Sequence, residues 1–510
     1  MAEQHALTVI VPVAATDVDA LRALLNAMGQ HIDESGKVPL DAVRPFLPPA
    51  AAVPAGTSFI EFRQLTTVHF FRFVLLESSR DATGNPIAPS LVFATDFDGP
   101  VADHVNELVR VAEPALRAVF MLCQPSPGTG PLQSYLHEWS VSAAAFYRGH
   151  PGRSVSQIWG SANHSEAELR QVLEQALDVP PRPQTAALVV DRLRYAVGHS
   201  VWKAVPTADE PARVNRTALI STAAVGLLLF SVMAVIGAHV FGSWMAGILS
   251  ALLLPVVLLG IFGTILNGLG GLEERREQRL LQQEGPPPSL DGAVDPYVPD
   301  RSRDRLTVVE ELEDKRGLAQ NQMTHVVNIK PGRIRLWTLR ATLAIGRFLS
   351  RNVFVAGTLL GIPTIHFARW VFIDDNRRLL FFSNYDFSWE SYLGDFIDLA
   401  SDGLTSIWSN TTFFPRTRIR AWTILPRLLR VAISYLPGFT RVAATVAFTG
   451  GAQRERAFKR WTRDHQVATH VWYSAYPHLS VTNVNNSTEL QRGVFTALEN
   501  EEQQAWLRRL

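Results

Sequence analysis

The sequence predicts an α+β protein in which two βαββαβ units flank a two-helix transmembrane hairpin. Three observations lead there: an uncharged apolar run of about 55 residues in mid-chain, strand motifs that recur in the same order on either side of it, and hydrophobic spacing that alternates between strand and helix periods. The chain has 510 residues, 47% hydrophobic and 19% charged, which is ample for several cores and too apolar for disorder. Lysine and arginine number 48 against 47 aspartate and glutamate, and the net charge of +1 offers nucleic acid no global attraction. Mean hydropathy of +0.07 is high for a soluble enzyme, yet the charged fraction is too large for a polytopic transporter, so the apolar residues must be concentrated. A lone cysteine, Cys123, excludes an intrachain disulfide and a Cys-rich metal site.

In the first unit, residues 1–178, Leu7 to Val13 reads as a strand and Asp17 to His31 as a helix capped by Thr16 or Asp17. Ala6 to Ala15 lacks a basic leader and is no secretory signal. Thr67 to Leu76 and Leu91 to Thr95 are strands around a Gly/Pro/Asn turn, Val101 to Phe120 is a helix, and Ala145 to Ile158 is a closing strand. A short helix, Ser165 to Leu177, leads into a Pro-containing linker, 179–216.

The hairpin occupies 217–272. Ala218 to Ile236 and Trp244 to Leu266 each satisfy the ~20 apolar residues that cross a bilayer. Gly237, Ala238, His239, Gly242 and Ser243 make the break, and Pro255 predicts a kink. A buried pair of soluble helices is the alternative, but it lacks the polar stripe such helices carry. Lys203, Arg213 and Arg216 precede the hairpin and Arg275, Arg276 and Arg279 follow it, which places both ends in the cytoplasm. A charged and Pro-rich tether covers 273–322.

The second unit, 323–510, repeats the order: strand Met323 to Ile329, helix Arg333 to Val353, strands Thr364 to Ile373 and Leu379 to Asn384, helix Trp389 to Trp408, strand His470 to Val484. Its insertion at 411–451 has no counterpart in the first unit. Arg416, Arg420, Trp422, Arg427 and Arg430 lie there without an acidic residue, as expected of a segment on the lipid interface, or of arginines that simply solvate helices.

The repeat is carried by residues. Thr67-Val68-His69-Phe70-Phe71-Arg72 recurs as Thr364-Ile365-His366-Phe367-Ala368-Arg369, and Ala94-Thr95-Asp96-Phe97-Asp98 as Phe382-Ser383-Asn384-Tyr385-Asp386. Phe146-Tyr147 through Pro151 and Ser154-Val155 matches Trp472-Tyr473 through Pro477 and Ser480-Val481 at identical spacing. The βαββαβ order is that of a ferredoxin-like sandwich, and the double unit resembles the dimeric α/β-barrel superfamily, whose paired sheets enclose a cavity.

Alternation along the repeated strand puts Thr364, His366 and Trp370 on one face and Arg369 on the other. His366, Asp386, Tyr385 and Arg369 are the candidate catalytic groups, gathered at a cavity mouth for proton transfer. Thr364, Asn384, Trp370, Tyr473, His69 and Asp98 are candidate ligand-binding residues. The plainer reading makes the strand histidines structural, hydrogen-bonded to a neighbouring threonine or to backbone. His465 and His470 are spaced badly for one metal site, so no metal ligands are assigned.

Asn384-Tyr385-Asp386 followed by Ser388-Trp389-Glu390-Ser391-Tyr392-Leu393 resembles the signature of a group of bacterial membrane-anchored ferredoxin-like proteins, implying the inner membrane as location. More distantly, the double unit is similar to dye-decolorising peroxidases, which hold haem between such sheets beside a Gly-x-x-Asp-Gly motif. Asp98-Gly99 matches that motif, but Thr95 replaces its first glycine and Phe387 the final glycine in the second copy. The resemblance implies haem as cofactor and a peroxidase-like oxidation, and placement at the membrane suggests an apolar or lipid-derived small molecule as the substrate. The competing expectation is a non-catalytic scaffold on the bilayer. Nucleic acid is not an expected partner, and oligomeric state is not legible.

Overall fold

The computed structural model describes residues 3–49, 51, 56–163, 171–172, 174–175, 178, 185–198, 214–283, 318–354, 358–359, 361–419, 448–495 and 499–509. It is a mixed α+β structure. The N-terminal half contains β1 (Gln4–Pro12), α1 (Val18–Gln30), β2 (Val68–Leu76), β3 (Ser90–Asp98), α2 (Val101–Phe120), β4 (Ala145–Arg148) and α3 (Val155–Asn163). The hairpin is α4 (Arg216–Phe241) and α5 (Trp244–Gln283). The C-terminal half contains β5 (Gln320–Asn328), α6 (Arg333–Asn352), β6 (Ile365–Ile373), β7 (Arg378–Asp386), α7 (Trp389–Trp408), β8 (Thr417–Ile419), β9 (Phe448–Gly450), α8 (Glu455–Asp464), β10 (Gln466–Val467), β11 (Val471–Ser474) and α9 (Val481–Phe495).

Two antiparallel sheets form, and each borrows a strand. The first runs β1-β3-β2-β11 and the second β10-β5-β7-β6-β4. Thus β4 leaves the N-terminal half to pair with β6, while β11 leaves the C-terminal half to pair with β2. Edge strands present unpaired amides and carbonyls; here the exchange covers the β2 and β6 edges and ties the halves together by backbone hydrogen bonds.

The inner faces of the sheets meet in a filled layer. Val74, Leu76, Val92 and Ala94 from one sheet pack against Val326, Val371, Ile373, Leu380 and Phe382 from the other. On the outer faces, α1 and α2 cover the first sheet around Phe71, Phe73 and Phe93, and α6 and α7 cover the second around Phe381 and Trp408. Alternation of inner and outer residues along each strand produces both layers.

The closing strands are shorter than their hydrophobicity predicts. They end at Arg148 and Ser474 because proline follows at 151 and 477 and a helix starts four residues further on. Each helix opens with a capping box: Ser154 N donates to Gln157 Oε1 at 3.0 Å while Gln157 N donates to Ser154 Oγ at 3.2 Å. Ser480 and Asn483 repeat it at 3.2 and 3.1 Å.

The hairpin break is also tighter than predicted. Gly237, Ala238 and His239 are helical, and the turn is made at Gly242 (φ 66°) and Ser243. Both helices are long and apolar enough to cross a membrane; the 26 residues of α4 span roughly 39 Å at ~1.5 Å per residue. Ile220, Leu228, Val240, Leu249 and Leu253 stand exposed on them. Keeping each such side chain in water forfeits about 1.5–3 kcal/mol. Small residues let the helices touch: a Cβ on Gly247 would lie 2.3 Å from the Ala234 carbonyl oxygen. The segment expected to begin a tether at 273 instead continues α5 to Gln283.

Candidate functional site

Both repeated histidines sit at interruptions of the strand register, between Val68 and Phe70 in β2 and between Ile365 and Phe367 in β6. A bulge re-aims side chains and breaks strict alternation. His366 therefore does not face with Ala368 and Trp370 into the helix-covered core. Its ring lies 5.6 Å from Phe70 of the opposite half, and the His69 ring lies 5.1 Å from Phe367. The carbonyl of each bulged histidine is held by the exchanged chain: Gly149 N donates to His366 O at 2.6 Å and Ala475 N donates to His69 O at 2.9 Å.

The next residue in each exchanged segment, His150 or Tyr476, enters the space between the bulges. A hydrogen-bonded chain results. Asp98 Oδ1 is 2.9 Å from His69 Nε2, and His69 Nδ1 is 2.7 Å from the Tyr476 hydroxyl. The hydroxyl is 3.1 Å from His150 Nε2, which is 3.3 Å from His366 Nδ1. His366 Nε2 then reaches Asp386 Oδ1 at 2.7 Å. The second carboxylate oxygens accept from helix N-termini, Asp98 from Val155 N at 2.7 Å and Asp386 from Val481 N at 2.8 Å. Gln4 Nε2 donates to the Arg153 and His150 carbonyls at 2.8 and 3.2 Å.

All three histidines and Tyr476 are buried. Burial, reinforced by His366 and His69, holds His150 well below its ordinary value. Burial and the neighbouring carboxylates raise Tyr476 well above its own. With His150 neutral and its one proton on Nε2, shared between the Tyr476 oxygen and His366 Nδ1, the chain closes: Nε2–H of His69 and His366 donates to the carboxylates, and Tyr476 donates to His69 Nδ1.

The other predicted site residues are dispersed. Tyr385 alternates away from Asp386 and stacks on Tyr392 at 3.8 Å in the helix-covered core. Trp370 lies 4.7 Å from Phe381 in the same core, and Tyr473 stacks on Phe62 at 4.7 Å in the N-terminal core. Thr364 meets the site through backbone, its carbonyl accepting from Asp386 N at 2.8 Å. Arg369 is buried between the sheets, donating to Leu7 O at 2.7 Å, Thr8 Oγ1 at 3.0 Å and Thr95 O at 3.1 Å. Asn384 joins that layer, accepting from Arg72 and from Trp472 Nε1 and donating to Asp96 Oδ2 at 3.2 Å. Arg420, Trp422, Arg427 and Arg430 lie outside the described residues.

His150 and Gln4 are not among the residues the sequence singles out, and Tyr476 stands out there only as one of the polar residues around the last strand. The spacing match that aligned Pro151 with Pro477 also aligns His150 with Tyr476, but unlike residue types hid their shared position.

The donor set does not fit haem. Apolar side chains of the two sheets pack against each other between them, and both nitrogens of His69 and of His366 already face partners, so neither imidazole has a lone pair free for an iron; His325, whose ring nitrogens lack hydrogen-bond partners among the described residues, lies against Trp408 and Trp461 in the helix-covered core instead. Among the described residues no group of three or more His, Cys, Asp or Glu is arranged to hold a metal ion.

A separate concavity of about 650 Å³ lies where α5 leaves its apolar stretch and docks on the C-terminal half. Asn267 clamps the β8 backbone, donating to Ile419 O and accepting from Ile419 N, both at 2.8 Å. Arg335 grips Glu273 at 2.9 and 2.7 Å, Arg416 pairs with Glu274 at 3.2 Å, and Glu277 accepts from Phe413 N at 3.0 Å. The three glutamates thus face the C-terminal half, and Arg275, Arg276 and Arg279 on the same helix are exposed.

Comparison with protein-family models, with curated proteins and with solved structures finds no match to this chain.

Proposed function

We propose that this chain is a membrane-anchored binding protein: two copies of one ferredoxin-like unit on the cytoplasmic face of a bacterial inner membrane, locked together by the buried histidine chain, with the ligand taken where the hairpin meets the C-terminal half. The observation that carries this reading is that the repeated histidines spend both ring nitrogens on partners out of solvent. A general acid or base must be reachable by substrate; these groups instead join four chain segments from both halves. Such a network acts as a register device, rewarding one mutual arrangement of the halves and penalising others.

Strand exchange supports the anchor. The exchanged strands come from segments before and after the hairpin, so both halves must lie on one side of any bilayer, which two spans satisfy and one would not. The basic flanks favour the cytoplasmic side.

His366→Ala tests the reading. The variant in carbonate-washed membranes should stay with the pellet like the wild type, unfold at lower temperature, and show the same absorption spectrum after haem-supplemented expression. A Soret band in the wild type that vanishes in His366→Ala would overturn the proposal and restore a haem enzyme.

A further inference from the structure

We infer that the concavity at the exit of α5 is a binding site for a phosphate-bearing anion, and that the source of this anion is the headgroup of an anionic phospholipid. The inference rests on the membrane-anchored reading above. Three observations place it.

Position comes first. The lining of the cavity begins at Thr264, Leu266 and Asn267, where the apolar run of α5 ends and polar side chains begin. A helix that spans ~30 Å of hydrocarbon delivers its first polar residues to the headgroup layer. The cavity therefore opens at the depth of lipid phosphates.

Charge comes second. Lys330, Arg335, Arg416, Arg418, Arg454 and Arg460 line the cavity, with Glu274 and Glu277 as its carboxylates. Glu274 is taken by Arg416 and Glu277 accepts from a backbone amide. Lys330 and Arg335 share Glu273 at 3.5 and 2.7 Å, and Arg460 faces Asp464 at 3.7 Å. Arg418 and Arg454 are exposed and have no ion pair among the described residues. Two guanidinium forks are left to meet an anion, and phosphate oxygens match their bidentate geometry.

Shape comes third. Gly268 and Gly271 on α5 have open space where a Cβ would stand, so an acyl or glycerol backbone can run along the helix toward the arginines. Phe413, Phe414 and Trp461 supply an apolar wall beside the polar one.

The test uses full-length protein, wild type and the Arg418→Gln/Arg454→Gln double variant, with phosphatidylcholine vesicles, phosphatidylcholine vesicles containing a minority of phosphatidylglycerol, and inorganic phosphate as a free competitor. Flotation reads membrane attachment, and native mass spectrometry reads retained lipid. The wild type should float with both vesicles and retain phosphatidylglycerol at roughly tenfold over its bulk share, as two basic side chains at a membrane surface permit. The double variant should float equally and lose that enrichment. Flotation without enrichment, or enrichment equal in the variant, overturns the headgroup site and leaves the anchor intact. Enrichment abolished by millimolar inorganic phosphate overturns the lipid as source. Failure of the wild type to float with either vesicle overturns the anchor, and the headgroup site with it.

Discussion

His366 Nε2 lies 2.7 Å from Asp386 Oδ1 with both side chains essentially out of solvent, whereas the His69 to Asp98 pair, at 2.9 Å, leaves the aspartate 10% exposed. Equivalent bonds thus sit at different depths. Removing one partner of a buried hydrogen bond costs about 1–3 kcal/mol, because the other is left unsatisfied. Asp386→Ala should therefore lose about that much in denaturant titration of the detergent-solubilised protein, and Asp98→Ala clearly less. Equal losses would mean that depth does not govern the chain's contribution.

Tyr476 joins the two dyads through its hydroxyl, 2.7 Å from His69 and 3.1 Å from His150. Phenylalanine keeps the ring and deletes the joint. Tyr476→Phe should cost about 1–3 kcal/mol, the penalty for stranding buried polar groups, without detaching the protein from membranes. A neutral result in the same titration would show the two dyads to be independent.

Acid should weaken the fold in two stages. Burial lowers His104 to about 3 and His470 to about 4, and lowers His150 and His325 well below their ordinary 6.5. A histidine depressed in the folded state takes up its proton first in the unfolded chain. Stability is therefore full above about pH 7.5 and falls as pH drops below ~6.5, by up to about 1.4 kcal/mol per unit for each group. Asp81 is lowered to about 2, against the opposing effect of burial, by hydrogen bonds from Thr83 and Asn85. Its contribution is present above the ordinary carboxylate value of 3.8 and is lost as pH falls toward 2. Thermal unfolding between pH 7.5 and 5.5 checks the first stage; a flat melting temperature would contradict it.

The hairpin makes a separate demand on side-chain size. A Cβ at Gly247 would stand 2.3 Å from Ala234 O and 2.6 Å from Ala238 N, whereas one at Gly226 meets nothing within 4 Å. Gly247→Val should lower thermal stability in detergent and Gly226→Val should not. Equal tolerance would argue against close contact of the two helices.

Local patterns carried much of this architecture. Period and capping placed α7 at Trp389–Trp408 to the residue, since Ser388 Oγ accepts from Ser391 N at 3.3 Å and starts the helix. Strand alternation already separates Tyr385 from Asn384 and Asp386, and applying it would have kept Tyr385 out of the candidate site. What local pattern does not encode is which sheet edge a short strand will join: Ala145–Arg148 and Val471–Ser474 look the same whether they close their own sheet or cross to the other. The bulges at His69 and His366 are equally silent, because a one-residue register slip depends on the partner strand. Phe387 illustrates a further limit. It adopts φ 65° where Gly99 has φ 85°, so the left-handed turn after each aspartate survives without its glycine.

The central claim, two strand-exchanged halves on one face of a membrane crossed twice, is tested most directly by side-specific thiol labelling. Cys123 is buried and its thiol is pushed up by burial, so background reaction is low. Single cysteines replace three exposed residues, Ser134 in the N-terminal half, Ser243 at the hairpin tip and Glu455 in the C-terminal half. The account predicts that an impermeant maleimide added to intact cells labels Ser243→Cys alone, and that Ser134→Cys and Glu455→Cys react only after the membrane is opened. Labelling of Ser134→Cys and Glu455→Cys from opposite sides, or of all three from the same side, would contradict it.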